Sequence, residues 1–465
     1  MTMSDAASTR VAVPHVIKGV VQTGAELEYP GADGDMFATP AINLDELVWP
    51  RTEPLPAAEV PVAEIIDLLA AVGDYLRNDP DGLLAEALTA LIRTSPYEKR
   101  ILENSYGDLW RMLSGDRLWT QLNSELGGAD VVDSWRRIQL VDGKFGSVKA
   151  CPTRMVHVLA GNAPGVALMT VARGAMMKGV HLLKMPSNDL LSSTAVLRAL
   201  AAVAPDHPTT KSFSAIYWRG GDASIESVLF RPQFFDKLVA WGGDSAIRNA
   251  AKYLGPGFEL ISFDPKNSIS MIGREVFESP ETLAEVADLA AADSVAYNQE
   301  ACTSSRFHYV EGTHAQIDDY CAVLVDALGK ERRSTSAKVC PMSSDIREEV
   351  AALRTLDPMY CVFGSDDGTG LVIRSDEPVE FFPSAKTVNV VVVDSLRDAM
   401  RYINVATQTV SIYPPQRKTE MRDALAQAGV QRVVPVGGSP AMPPGLAHDG
   451  FFPLQRFVRW VNDEE

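Results

Sequence analysis

RMVHVLAGNAPGVALMTVARGAMMKGVHLLKMPSND, residues 154–189, holds two short apolar runs that each stop at a small polar turn. RMVHVLA reads as a buried strand, and the Gly-Asn-Ala-Pro-Gly turn after it opens a helical pattern over 166–177. VHLLKM repeats the strand, and a second helical pattern covers 190–203. Outward from here the alternation continues. FSAIYW precedes a helix starting near Asp222, KLVAWG precedes one starting near Asp244, and FELISF closes the series, in a region that spans 154 to 275. Short strands alternating with amphipathic helices predict a parallel, doubly wound α/β sheet, and such sheets bind ligands beyond the carboxyl ends of their strands.

A second alternating stretch runs from 275 to 445 and includes NVVVV and SLRDAMRYI. Ahead of the first sheet, residues 60–125 carry apolar residues at helical spacing. SWRRIQLVDGKFGSVKACP reads as a hairpin around Asp142-Gly143, and the apolar tail FFPLQRFVRWV is a candidate to pair with it. VAVPHVIKGVV (11–21) reads as an edge strand. The expected division is 1–135 as an N-terminal strand and helical part packing on a cofactor domain, then 136–152 as a hairpin. Residues 153–274 form the dinucleotide-binding domain, 275–445 the catalytic domain, and 446–465 a C-terminal strand.

Bulk properties set limits. The 465 residues are 46% hydrophobic and 22% charged, ordinary for globular chains and long enough for about three domains. With 43 Lys and Arg against 60 Asp and Glu, the net charge of -17 argues against nucleic acid or an anionic membrane as the main partner. The first sixteen residues lack a signal-peptide core, and the uncharged run 155–172 is broken by Gly161, Asn162, Pro164 and Gly165, so neither export nor a membrane span is expected. The five cysteines have no regular spacing and the seven histidines do not cluster in sequence, which predicts reduced thiols, a cytoplasmic protein and no metal site.

Four places carry residues suited to chemistry. Asn162, in the turn after the first strand, either donates a hydrogen bond to a developing oxyanion or caps the following helix. Lys184 ends the second strand and Ser187 follows it. Together they suit ribose hydroxyls or a phosphate, the alternative for Lys184 being a surface lysine with its head in water. Gly242 and Gly243 open a helix where backbone amides can approach a phosphate. Among the cysteines, Cys321 and Cys361 sit in apolar patterns and are expected in the core, while Cys151 and Cys340 precede prolines. Only Cys302, in N-Q-E-A-C-T-S-S-R, has a polar collar, and a reactive thiolate needs donors or positive potential together with exposure.

Taken in order, N-x-P, then K-x-P-S, then a Gly-Gly turn, then N-Q-x-x-C-T-S about 140 residues after the Asn resemble the aldehyde dehydrogenase superfamily. C-T-S-S-R looks more like the CoA-acylating members. The C-terminal G-V-Q-R-V-V-P-V-G-G-S-P, H-D-G and F-V-R-W-V are similar to the long-chain acyl-CoA reductases of bacterial bioluminescence, the LuxC-like family. The resemblance implies an aldehyde-dehydrogenase-like α/β fold with two doubly wound Rossmann-like domains and a small β oligomerisation lobe made by the hairpin and the C-terminal strand.

It further implies that Cys302 is the nucleophile and that Asn162, with the Cys302 amide, forms the oxyanion hole. Lys184 would contact the adenosine ribose and Gly243, beside Gly242, would lie under the pyrophosphate. Glu380 in V-E-F-F-P would hold the nicotinamide ribose. Ser187 stands where NAD-preferring members often carry a carboxylate, which favours NADPH with NADH as the alternative. Hydrolytic members carry a base in E-L-G-G-K. Here, counting back from Lys266 puts Ser262 at that place and Glu259 three residues away.

The expected activity is NADPH-dependent reduction of an acyl-CoA or other acyl thioester to an aldehyde through an acyl-cysteine. The chain would act as a homo-oligomer, with an acyl-activating protein as an expected partner. The rivals are a CoA-acylating dehydrogenase working oxidatively, a hydrolytic aldehyde dehydrogenase using Glu259, and a catalytically silent scaffold.

Overall fold

The computed structural model describes residues 11–332 and 336–464; the first ten residues, part of the leader reading, lie outside them. The alternation read from the sequence resolves into two seven-stranded sheets in two compact units. The first unit takes the chain to Pro96, Leu102–Asp264 and the chain from Pro444 onward; the second takes Tyr97–Ile101 and Pro265–Pro443. The division therefore falls at Asp264, short of the expected 274, because the strand Asn267–Ile272 pairs with Ser305–Glu311 and Thr407–Tyr413 in the second sheet.

In the first unit, Arg154–Val158 lies between Lys237–Trp241 and Val180–Lys184, with Glu259–Phe263 and Phe213–Ile216 outside them, all parallel. Chain order is thus 5-4-1-2-3 across the sheet, with the direction of winding reversing beside Arg154–Val158. These strands are buried on both faces, as covered parallel sheets require. The segment 11–21 does more than supply one edge strand. Val11–Ala12 joins a small sheet with Met36–Thr39, and His15–Ile17 and Val20–Gln22 form an antiparallel hairpin on the main sheet.

Residues 60–125 fold into the helices Val62–Asn78, Leu83–Thr94, Lys99–Asp108 and Gly115–Leu126. The hairpin strands Arg136–Gln139 and Phe145–Cys151 pair around Gly143, whose φ of 81° is a turn conformation suited to glycine. Arg459–Glu464 completes that sheet on Phe145–Cys151. Two histidines that are far apart in sequence do meet here. His157 Nε2 and His181 Nδ1 lie 3.0 Å apart on neighbouring strands, and burial holds both below the usual imidazole range. Their second ring nitrogens face no hydrogen-bond partner, so the pair is an interior contact.

The second sheet runs Cys361–Ser365, Gly370–Ser375, Thr387–Val393, Ser305–Glu311, Asn267–Ile272, Thr407–Tyr413, Arg432–Pro435, and only the first of these is antiparallel to its neighbour. Its faces are covered by Pro280–Ser294 and His314–Leu328 on one apolar cluster and by residues around Leu396, Met421 and Leu425 on another. No helix among the described residues is long and apolar enough to cross a membrane, and no group of ligating side chains there suits a metal ion. Cys321 is fully buried, as its pattern predicts. Cys361 is not core: its sulfur is half-buried on the edge strand, accepting from Arg374 Nη2 at 2.6 Å.

Candidate active site

In the first unit the candidate residues share one edge. Val158 stands in register with both Lys184 and Ala240, so the turns carrying Asn162, Ser187 and Gly242-Gly243 all leave the sheet at its carboxyl end. Asn162 is not the helix cap. Val166–Met176 is capped by Gly165, at φ 96°, where an added Cβ would come within 2.7 Å of Met112 Cε. That glycine starts the helix three residues on and leaves the Asn162 amide exposed on the turn.

Lys184 is not a surface lysine either. It is 7% exposed, and burial lowers its pKa to about 8 against the opposing pull of Glu226. Its ammonium lies 5.3 Å from the centre of the Tyr217 ring. Ser187 is exposed on the turn beyond it. Gly242, at φ 151°, leads into Gly243, which starts the helix Asp244–Ala251, and a Cβ built on Gly243 meets nothing within 4 Å. Exposed amides at a helix start, a largely desolvated cation and a hydroxyl along one edge fit a dinucleotide phosphate.

In the second unit Cys302 is exposed on the segment between the helix Pro280–Ser294 and the strand Ser305–Glu311. Its polar collar, Glu300 apart, is buried. Thr303, Ser304 and Ser305 are at most 5% exposed. The Ser304 hydroxyl donates to Ala296 O at 3.0 Å, and Ser305 accepts from Ser270 at 2.7 Å. The Cys302 carbonyl accepts from the Ser268 hydroxyl at 2.8 Å, and the Thr303 carbonyl from Ser439 at 2.8 Å.

Upstream, Tyr297, Asn298 and Gln299 take positive φ of 50°, 52° and 74°, three successive non-glycine residues in the left-handed region. Each such residue costs about 1–2 kcal/mol, so the surroundings must hold them. Tyr297 packs its ring on Tyr97, with centroids 5.7 Å apart. Asn298 Oδ1 accepts from the Ala337 amide at 2.9 Å, and Gln299 Nε2 donates to Thr387 O at 2.7 Å.

Arg306 joins two of the predicted positions. Buried to 6% exposure, its guanidinium donates to Gln299 O and, at 2.5 Å, to Pro383 O, and it lies 4.2 Å from the centre of the Phe382 ring. One side chain thereby pins the cysteine segment and the V-E-F-F-P segment that exposes Glu380.

Glu259 falls elsewhere. It begins its strand, at the amino end, where it pairs with Lys237 Nζ at 2.8 Å and with Arg456. Burial pushes its pKa up, but these two cations outweigh that and hold it below the usual carboxylate range. A carboxylate so engaged at the opposite edge from Asn162 is not placed to be the base of hydrolysis. Ser262 lies near the carboxyl end, in register with Ala240.

The sequence matches the family model described as "Acyl-CoA reductase (LuxC)" over residues 57–460. The chain belongs to that family. It is therefore an acyl-CoA reductase by kinship, an oxidoreductase. A long-chain acyl-protein thioester reductase of Aliivibrio fischeri is 33% identical over 364 residues, 76% of this chain and 72% of the relative. One of Photorhabdus laumondii is 30% identical over 86% of this chain and 82% of the relative. Among solved structures, an NADP-dependent glyceraldehyde-3-phosphate dehydrogenase of Bacillus halodurans complexed with NADP aligns with TM-score 0.71 at 13% identity, covering 98% of this chain and 100% of the other. An NAD-dependent benzaldehyde dehydrogenase of Corynebacterium glutamicum aligns with TM-score 0.70 at 14% identity, over 100% and 98%. The LuxC-family chain thus has the aldehyde dehydrogenase fold.

Sequence reasoning singled out the thiol but missed what holds it. Ser268 carries no motif of its own, and its role depends on which strands become neighbours. Arg306 and Ser439 stood inside quoted motifs only as spacing and likeness.

Proposed function

We propose that this chain reduces a long-chain acyl thioester to the aldehyde, using NADPH and an acyl-cysteine intermediate on Cys302. The observation that carries this reading is the exposure of Cys302 on a segment whose polar neighbours are buried and anchored. Cys302 as thiolate attacks the thioester carbonyl, and the tetrahedral oxyanion is stabilised by the Asn162 amide and the Cys302 backbone N–H. Collapse expels the donor's sulfur as a thiolate and leaves the acyl group on Cys302. When bound, the reduced nicotinamide supplies a hydride. Cys302 then leaves as thiolate while the aldehyde forms, which restores the starting thiolate.

On the cofactor side, Lys184 and Ser187 would hold the ribose and 2′-phosphate, Gly242 and Gly243 the pyrophosphate through backbone amides, and Glu380 the nicotinamide ribose. An exposed serine at 187 accepts a 2′-phosphate that a carboxylate would repel, which favours NADPH over NADH. The relatives' names supply the acyl donor class, a thioester on a long chain, carried by CoA or a protein. An acyl-activating partner follows from the protein-bound donor. We take the chain to act in the cytoplasm as a homo-oligomer.

The test is a single-turnover assay that follows loss of NADPH absorbance with a panel of acyl-CoAs and acyl-carrier proteins, comparing wild type with Cys302→Ala. Thioester-dependent NADPH loss that disappears in the variant supports the reading. Equal rates in both would remove Cys302 from the mechanism, and carboxylate formed steadily without CoA would favour hydrolysis.

A further inference from the structure

Cys302 occupies an electrostatically awkward place. The helix Pro280–Ser294 leads into its segment by the C-terminus, so that helix offers no N-terminal amides to a thiolate. Glu300, two residues away, is exposed and adds negative charge. The buried Tyr97 phenol responds to both Glu300 and Cys302, its pKa raised first by burial and then by their fields. The Arg306 guanidinium, held on Gln299 O and Pro383 O, keeps its charge, but the field it feels from this segment is that of Glu300. Something else must favour the charged sulfur.

Arg432 begins the last strand of the same sheet, and its guanidinium donates to Ser439 O at 2.7 Å, Gly438 O at 3.0 Å and Ala441 O. Asp293, fully buried on the last turn of Pro280–Ser294, accepts from the Gly437 and Ser439 amides at 2.8 and 2.9 Å. The 437–441 turn is gripped from both sides, and its Ser439 hydroxyl reaches the Thr303 carbonyl beside the thiol. Burial draws the Arg432 pKa down, while the fields of Asp293 and Cys302 push it back up.

We propose that Arg432 is the positioning residue for Cys302: it fixes the turn that holds Thr303, and its positive charge favours the thiolate. This rests on Cys302 being the nucleophile. The test therefore reads the thiol without turnover, by the rate of Cys302 alkylation with iodoacetamide across pH, followed by mass of the Cys302 peptide. Arg432→Met is expected to raise the alkylation midpoint by about one pH unit and to slow alkylation at neutral pH about tenfold. Arg432→Lys keeps the charge and is expected to hold the midpoint within a few tenths of a pH unit while lowering kcat, since a single ammonium cannot grip three carbonyls. Asp293→Asn removes the opposing charge and is expected to move the midpoint down, a sign that mere loosening of the turn does not produce.

An unchanged midpoint in folded Arg432→Met, or an upward move in Asp293→Asn, overturns the proposal. If Arg432→Met does not fold, the direction seen in Asp293→Asn decides alone. Full turnover in Cys302→Ala would sink the proposed function while leaving the alkylation result intact, so the two failures are distinguishable.

Discussion

The two parallel sheets of this chain use opposite edges. In the first, Asn162, Ser187, Gly242 and Gly243 follow the carboxyl ends of strands; in the second, Cys302 precedes the amino end of one. The contrast follows from helix direction. At a carboxyl edge the helix starts converge and present N–H groups, which suits phosphate. At an amino edge helices arrive by their C-termini, which is adverse for an anion. A binding edge can therefore be built largely from backbone and glycine, whereas a thiolate at the other edge needs side chains, here Ser268, Ser439 and Arg432, to hold and charge-balance it.

The largest expected effect falls on the amino edge of the second sheet. Cys302→Ala should lower thioester-dependent NADPH oxidation by about a thousandfold or more in single turnover, because no other nucleophile replaces the sulfur. Next comes the carboxyl edge. Asn162→Ala should lower kcat by about 10²–10³-fold with little change in cofactor KM, the usual cost of one oxyanion donor. A change confined to KM would return Asn162 to the binding set.

Lys184 separates binding from chemistry at that same edge. Lys184→Ala should raise the KM for NADPH about tenfold or more, as loss of a charge-assisted contact does, and affect NADH less. The sign with pH follows from its lowered pKa. Below about 8 the lysine is protonated and attracts phosphate; above it the charge is lost, so the NADPH KM should climb through that pH in steady-state profiles. The smallest effect tests the edge that should be silent. Glu259→Gln should leave turnover within about twofold and cost less than about 1 kcal/mol of stability by denaturant titration, since its ion pairs are partly exposed. Because its folded pKa is depressed, what it contributes is present at neutral pH and lost as pH falls through the carboxylate range.

Much of the fold was legible because parallel strands buried on both faces leave uninterrupted apolar runs such as VHLLK. The helix over 166–176 and the hairpin at Gly143 fall where the pattern puts them. Less legible was Asn267–Ile272, an apolar run that continues the first series in sequence yet pairs in the second sheet. Local pattern carries no information about which sheet a strand joins. The same blindness hid the meeting of His157 with His181. At the site, Lys184 and Glu259 looked equally ambiguous. Their fates were decided by which end of a strand each occupies, Lys184 the last residue of its strand and Glu259 the first. Cys302 was found from its polar company, although that company, Glu300 apart, turned out to be buried.

Tyr297 and Gln299 hold left-handed conformations that glycine would adopt without strain. Yet each side chain fastens the segment, one by its ring on Tyr97 and the other by its amide on Thr387. Glycine at either position would relax the backbone and cut the tether at once. The chain keeps residues that fit its backbone poorly, which makes this segment a place where heat tolerance and catalytic competence pull in opposite directions. Selection for a hardier protein would tend to accept changes here that selection for a working one would reject.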